Sequence, residues 1–81
     1  MTLYECERQA QEMPLGRAVF SATFPAGEKE CIWLDAYMGL FRIKGLEGFN
    51  MTREIERLFP GLECTAPREV TAEEAAAFEV A

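Results

Sequence analysis

The first half of the chain shows a two-residue alternation of apolar and polar positions. In RAVFSATF, residues 17–24, every even-numbered position is Ala or Phe, whereas Arg, Ser and Thr occupy odd-numbered ones. Successive side chains of a β-strand point to opposite faces of the sheet, so this period predicts a strand with one face on a core. The PAGE sequence at 25–28 predicts a turn that reverses the chain, because Pro and Gly favour the dihedrals that turns require.

The next stretch, EKECIWLDAYMGLFRIKG at 28–45, alternates in the same way on both sides of a reversal near Gly39. Three strands joined by short turns predict an antiparallel meander, and the alternation at 62–65 adds a short edge strand. The predicted inner face consists of Ala18, Phe20, Ala22, Phe24, Ile32, Leu34, Phe41 and Ile43.

The N-terminal segment is compatible with two structures. Thr2 followed by Glu5 has the spacing of a capping box, and apolar residues recur at helical intervals, which favours a helix over residues 3–12. The alternative is a short strand from Leu3 to Glu7.

Two further helices are predicted in the second half. Asn50 is a suitable N-cap for a helix that Pro60 ends. Its apolar stripe consists of Met51, Ile55, Leu58 and Phe59. Thr71 and Glu74 form a second capping box, which opens a short Ala-rich helix. The predicted fold is α+β: a small antiparallel meander of three to four strands with two or three short helices packed on it.

Length and composition predict a single globular domain over residues 1–81. The 81 residues are too few for two cores, and a hydrophobic content of 49% excludes an intrinsically disordered chain. The net charge is −6, with 14 acidic and 8 basic residues. Direct binding to nucleic acid is therefore not expected, since phosphate contacts need a clustered basic face.

The cysteines and the apolar runs predict a cytoplasmic protein. Three cysteines without a C-x-x-C spacing favour neither a disulfide framework nor a zinc site. The first 13 residues do not resemble a secretory signal, and no apolar run approaches the roughly 20 residues that span a bilayer.

Few residue patterns suggest chemistry. The chain contains no His, which excludes His-based acid–base catalysis and His-ligated metals. Cys31 follows Lys29 by two residues, and a nearby ammonium group lowers a thiol pKa, but no general base accompanies it. Glu73 and Glu74 stand where acids favour the start of a helix. We predict a protein that is not an enzyme and has no cofactor or metal.

The stretch 28–45 also suggests a surface for a partner. If Ile32 and Leu34 face the core, then Trp33, Asp35 and Tyr37 point to the opposite face of the sheet. Aromatic residues and Arg dominate binding hot spots. Arg42, on the adjacent strand, can complete such a cluster. The alternative is that a terminal helix covers this face and makes Trp33 a core residue.

The C-terminal quarter is the second candidate surface. It carries five acids against the single base Arg68, and these are Glu63, Glu69, Glu73, Glu74 and Glu79. Carboxylates spaced along one element can compete for a basic groove. The alternative is a solvated helix face that keeps the protein soluble.

Small size, acidic charge and the absence of a catalytic pattern favour a protein-binding domain. The predicted partner is a larger protein or nucleoprotein complex with a basic surface, without direct contact to nucleic acid or membrane. The most concrete version, by analogy of size and charge alone, is an inhibitor of the anti-CRISPR kind that a phage or mobile element encodes. The alternative is a structural or regulatory subunit that forms a homo-oligomer, such as a homodimer.

Overall fold

The computed structural model describes the backbone of residues 1–80 and the side chains of residues 1–77. The helices are α1 (Leu3–Ala10), α2 (Thr52–Leu58) and α3 (Ala72–Val80), with a single 3-10 turn at Pro14–Gly16. The strands are β1 (Ala18–Phe24), β2 (Gly27–Asp35), β3 (Leu40–Ile43), β4 (Asn50–Met51), β5 (Glu63–Cys64) and β6 (Arg68–Glu69). None of the helices in this described part combines the length and apolar character needed to cross a membrane.

All strands belong to one antiparallel sheet. Its order is β4-β3-β2-β1-β5, and β6 pairs with the same strand, β1, as β5 does. The α+β prediction and its central meander are confirmed, but the described sheet has six strands rather than three or four. The unpredicted strands β4 and β6 have two residues each. A strand of two residues shows no period in sequence, since only pairing with a longer neighbour defines it.

Helix α1 resolves the ambiguity at the N-terminus in favour of the helix. The Glu5 backbone N–H donates to the Thr2 hydroxyl at 3.1 Å, and the Thr2 N–H donates to the Glu5 carboxylate at 2.8 Å. This reciprocal pair is the predicted capping box. Leu3, Cys6 and Ala10 are fully buried and form the apolar stripe on one side of the helix.

Helix α2 begins one residue later than a cap at Asn50 predicts. Asn50 lies in β4 opposite Phe41, and the N-cap is Met51, which provides no side-chain hydrogen bond. The Thr52 N–H instead donates to the Gly39 carbonyl oxygen at 2.9 Å, so sheet pairing sets the start of this helix. Leu58 is exposed, and its predicted place in the buried stripe is wrong.

The main core lies between the sheet and helices α1 and α2, and it corrects the predicted inner face of β2. Trp33 lies opposite Ala18 on one side and Phe41 on the other, while Cys31 lies opposite Phe20. Residues directly opposite in an antiparallel pair share a face of the sheet. Cys31 and Trp33 therefore face the helices, and both are fully buried.

The other face of the sheet carries a smaller apolar cluster. Val19 and Ile32 are buried there, and Leu34 and Val70 pack against them. Ile32 and Leu34 were predicted to face the main core, and that prediction is wrong. The sheet is thus apolar on both faces, so alternation alone could not identify which set of β2 residues meets the helices.

Candidate functional site

Trp33 is a core residue and not part of a surface. It is 0% exposed, stacks on Phe20 with ring centroids 5.1 Å apart, and meets the edge of Phe41 at 5.2 Å. Its indole N–H donates to the Sγ atom of Cys6 at 3.3 Å. Of the two interpretations of Trp33, the structure therefore supports the core, and it corrects the prediction of an exposed tryptophan.

Tyr37, by contrast, is 66% exposed in the turn between β2 and β3. One oxygen of the Asp35 carboxylate accepts from the backbone N–H groups of Tyr37, at 3.0 Å, and Met38, at 3.3 Å. The Tyr37 hydroxyl donates to the backbone carbonyl of Gln11, and the Gln11 side-chain amide donates to the Ala36 carbonyl at 3.1 Å. Asp35 thus stabilises the turn, and Tyr37 is held by hydrogen bonds at its backbone N–H and at its hydroxyl.

The Tyr37 ring also packs closely against the backbone of Gly16. Gly16 has a φ of +62°, and a Cβ atom there would lie 3.0 Å from the Ala36 nitrogen and 3.1 Å from the Tyr37 ring. The Ala36 N–H donates to the Gly16 carbonyl at 2.9 Å. Leu15, just before it, also has a positive φ, of 59°, although its side chain is 79% exposed. A positive φ is unfavourable for a residue such as Leu, so this connection is locally strained.

Together α1, the turn and the start of α2 enclose a surface cleft of about 300 Å³, here called the Tyr37 cleft. Its lining residues are Tyr4, Glu7, Tyr37, Met38, Gly39, Met51, Thr52 and Arg53. Tyr4 and Glu7 are three positions apart on α1 and therefore share one side of that helix. Tyr4 is 45% exposed and Met38 is 66% exposed. The cleft therefore presents aromatic and thioether groups to solvent.

Two charged groups of opposite sign line the Tyr37 cleft. The half-buried carboxylate of Glu7 lies against the turn, with one oxygen 3.0 Å from where a Cβ on Gly39 would be. Arg53 approaches from α2 and is exposed. Neither side chain forms an ion pair with any residue in the described part of the chain. Both groups are therefore available to a ligand.

Arg42 does not join this cleft. It lies opposite Ile32 in the β2–β3 pairing, on the face of the sheet away from Trp33, and it is half-buried. The predicted cluster of Trp33, Asp35, Tyr37 and Arg42 is thus divided between the core, the turn and the second face of the sheet.

The C-terminal acids are partly engaged within the chain. Glu74 receives two hydrogen bonds from the Arg68 guanidinium, which together with the capping contacts to Thr71 lower the pKa of Glu74 to about 2. The Glu63 carboxylate lies 2.7 Å from the α-amino group of Met1 and raises the pKa of that group.

The other described acids of this quarter face solvent. Glu69 and Glu73 are exposed, and the Glu79 side chain lies outside the described residues. Of the four described acids, Glu63 and Glu74 are thus paired within the chain, and Glu69 and Glu73 have no ion pair among the described residues.

The cysteines offer no activated nucleophile. Burial raises the pKa of Cys6 to about 11 and the pKa values of Cys31 and Cys64 to about 12. Within the described residues, no group of three or more Cys, Asp or Glu side chains is placed to hold a metal ion. The thiols act here as small packing groups.

A second concavity of about 350 Å³ opens beside the tip of the β1–β2 hairpin. Its walls are mainly apolar and include the perpendicular rings of Phe24 and Phe59, whose centroids are 5.3 Å apart. Among the described residues that line it, Lys29 alone is charged. This concavity shares no lining residue with the Tyr37 cleft.

Sequence reasoning identified Tyr37 and Asp35 but missed Tyr4, Glu7, Met38 and Arg53. The i, i+3 spacing of Tyr4 and Glu7 on the polar side of a predicted helix was the available signal. Comparison of the chain with protein-family models, curated proteins and solved structures gave no significant match.

Proposed function

We propose that this chain is a protein-binding domain that occupies a surface of a larger protein or nucleoprotein complex through the Tyr37 cleft. The observation that carries the proposal is an exposed Tyr37 whose ring and turn are held by four hydrogen bonds to and from Asp35, Gln11 and Ala36. Aromatic side chains dominate binding hot spots, and a surface that is already ordered loses less conformational entropy on association.

The most concrete version is an inhibitor that blocks a nucleic-acid-binding complex, of the anti-CRISPR kind found in phages and mobile elements. A net charge of −6 supports this version, because an acidic protein is attracted to the basic surface on which such complexes hold nucleic acid. Glu69 and Glu73 add to this attraction from the exposed C-terminal quarter.

The test begins with capture of a partner from a bacterial lysate by the tagged protein, followed by identification by mass spectrometry and measurement of the affinity with purified components. Replacing Tyr37→Ala or Met38→Ala should weaken binding by about 30-fold, which corresponds to about 2 kcal/mol. Leu58→Ala is the matched control, since Leu58 is similarly exposed but does not line the cleft. Unchanged affinity in both cleft variants would refute the assignment of this surface.

The inhibitor version predicts two further properties of the same complex. Affinity should fall steeply as salt is raised, and nucleic acid should compete with the protein for the partner. A salt-independent complex that binds nucleic acid normally would refute inhibition while leaving the protein-binding proposal in place.

Light scattering tests the alternative that the partner is a second copy. Under the proposal the purified chain is a monomer at low micromolar concentration. A stable homodimer that dissociates on Tyr37→Ala would assign the cleft to self-association instead.

A further inference from the structure

The Glu7 carboxylate is the acidic group of the Tyr37 cleft. It is half-buried against the turn, and no described residue provides it with an ion pair. A carboxylate in a partly buried position gains most from a donor that brings positive charge and several N–H groups. The cleft therefore favours a cationic group at this wall.

Tyr4 and Tyr37 also favour a cationic ligand in this cleft. Tyr4 stands one turn before Glu7 on α1, and the fixed ring of Tyr37 lines the same cleft. A flat cation lying over a tyrosine ring is attracted by the negative face of the π-system. Guanidinium combines both contacts, because it stacks on aromatic rings and donates two parallel hydrogen bonds to a carboxylate, whereas ammonium is a compact, strongly hydrated charge.

We infer that the Tyr37 cleft accepts an arginine side chain of the partner, with its guanidinium on Glu7 and against Tyr4 and Tyr37. This inference rests on the proposed function, and it names the chemistry by which a basic surface is recognised. Arg53 also lines the cleft, and its positive charge repels such a ligand. Neutralising Glu7 and neutralising Arg53 should therefore have opposite effects on binding.

The probe is the capped peptide acetyl-Gly-Arg-Gly-amide, titrated into the isotope-labelled full chain and followed by amide chemical shifts. We expect saturable binding with a dissociation constant on the order of millimolar, with shifts concentrated at Tyr4, Glu7, Tyr37 and Gly39. The matched lysine peptide should bind more weakly, and the citrulline peptide, which keeps the shape but has no charge, should not saturate. Shifts that are absent, or spread over the acidic surface, would overturn the inference.

Three variants then test the geometry. Glu7→Gln should weaken the arginine peptide by about fivefold or more, and Tyr4→Leu by about threefold. Arg53→Gln should tighten it by about twofold, because the repulsion is removed. Glu12→Gln changes the net charge equally at an exposed position outside the cleft and should leave affinity unchanged. Weaker binding in Arg53→Gln, or equal losses in the two Glu variants, would contradict the assignment of the guanidinium to Glu7.

The result separates this inference from the proposed function. A cleft that binds the arginine peptide while partner capture is unaffected by Tyr37→Ala would refute the proposed function and keep the site. Capture that depends on Tyr37 without any binding of the arginine peptide would refute the arginine site and keep the function.

Discussion

Truncation of Trp33 is the sharpest test of the corrected core. Its indole is enclosed by Phe20, Phe41 and α1 and makes the hydrogen bond to Cys6. A buried tryptophan removes about 200 Å² from water, which at about 25 cal/mol per Å² is worth about 5 kcal/mol. Measured Trp→Ala losses of about 3–5 kcal/mol are of the same size. For a chain of this length the total stability is only about 4–12 kcal/mol, so Trp33→Ala should lose a large part of it and unfold at a much lower urea concentration.

The assay is urea unfolding followed by far-UV circular dichroism, because the variant has no tryptophan to report fluorescence. Trp33→Phe retains an aromatic ring and should remain folded, with a smaller loss of about 1–2 kcal/mol. Tyr37→Ala is the control at an exposed aromatic position; it removes the hydrogen bond to Gln11 and should lose only about 1–2 kcal/mol. In the unmodified protein, tryptophan emission should lie at shorter wavelength than in the urea-unfolded chain.

Two results would refute this account of Trp33. One is a stability of Trp33→Ala equal to that of Tyr37→Ala. The other is emission in the native monomer that does not change on unfolding. Either would mean that the tryptophan is solvated and that the sheet packs on the helices through its other face.

Three further predictions concern single groups. The three cysteines should resist alkylation at neutral pH in the native protein and all react in urea, because burial raises the pKa of each thiol. Mass spectrometry measures the number of alkylated thiols, and one fast-reacting thiol in the native protein would contradict this prediction. Because the folded pKa of Glu74 is lowered to about 2, its contribution to stability should be present above about pH 4.3, the unfolded value, and be lost as pH falls toward 2. In an NMR titration, Arg68→Gln should return this pKa toward its ordinary value, and an unchanged pKa would exclude the pair as its cause. Gly16→Ala should lower the free energy of unfolding by about 2–3 kcal/mol, because residue 16 has a positive φ and a Cβ there would contact Tyr37. The control Gly45→Ala also has a positive φ but open space around it, so it should cost only about 1 kcal/mol. Equal losses in urea unfolding would show that Tyr37 moves away from the new Cβ at little cost.

Much of the fold could be predicted because its signals are local. The capping boxes at Thr2 and Thr71 and the alternation of β1 depend only on residues a few positions apart. The start of α2 could not be predicted in this way. Asn50 has the intrinsic preference of an N-cap, yet pairing with Phe41 places it in a strand.

The candidate site was predicted only in part, because its residues come from three separate elements. Tyr37 was identified from its aromatic character and Asp35 from its position in the same stretch. Tyr4 and Glu7 reach the cleft from α1, some 30 positions away in the chain. The packing of α1 against the turn brings them together, and no local pattern reports that packing.

The sequence by itself determined the antiparallel hairpins, the capped helices, the acidic balance and the absence of histidine chemistry. Only the tertiary structure decided which side of β2 is the core. Strand periodicity separates residues into two faces, but both faces of this sheet are apolar. A shift of one residue in strand register exchanges the two faces without placing polar residues in the core. Contact with the helices decides between the two faces. Trp33 is buried against α1, where its indole N–H donates to Cys6, and the Tyr37 ring is exposed at the turn.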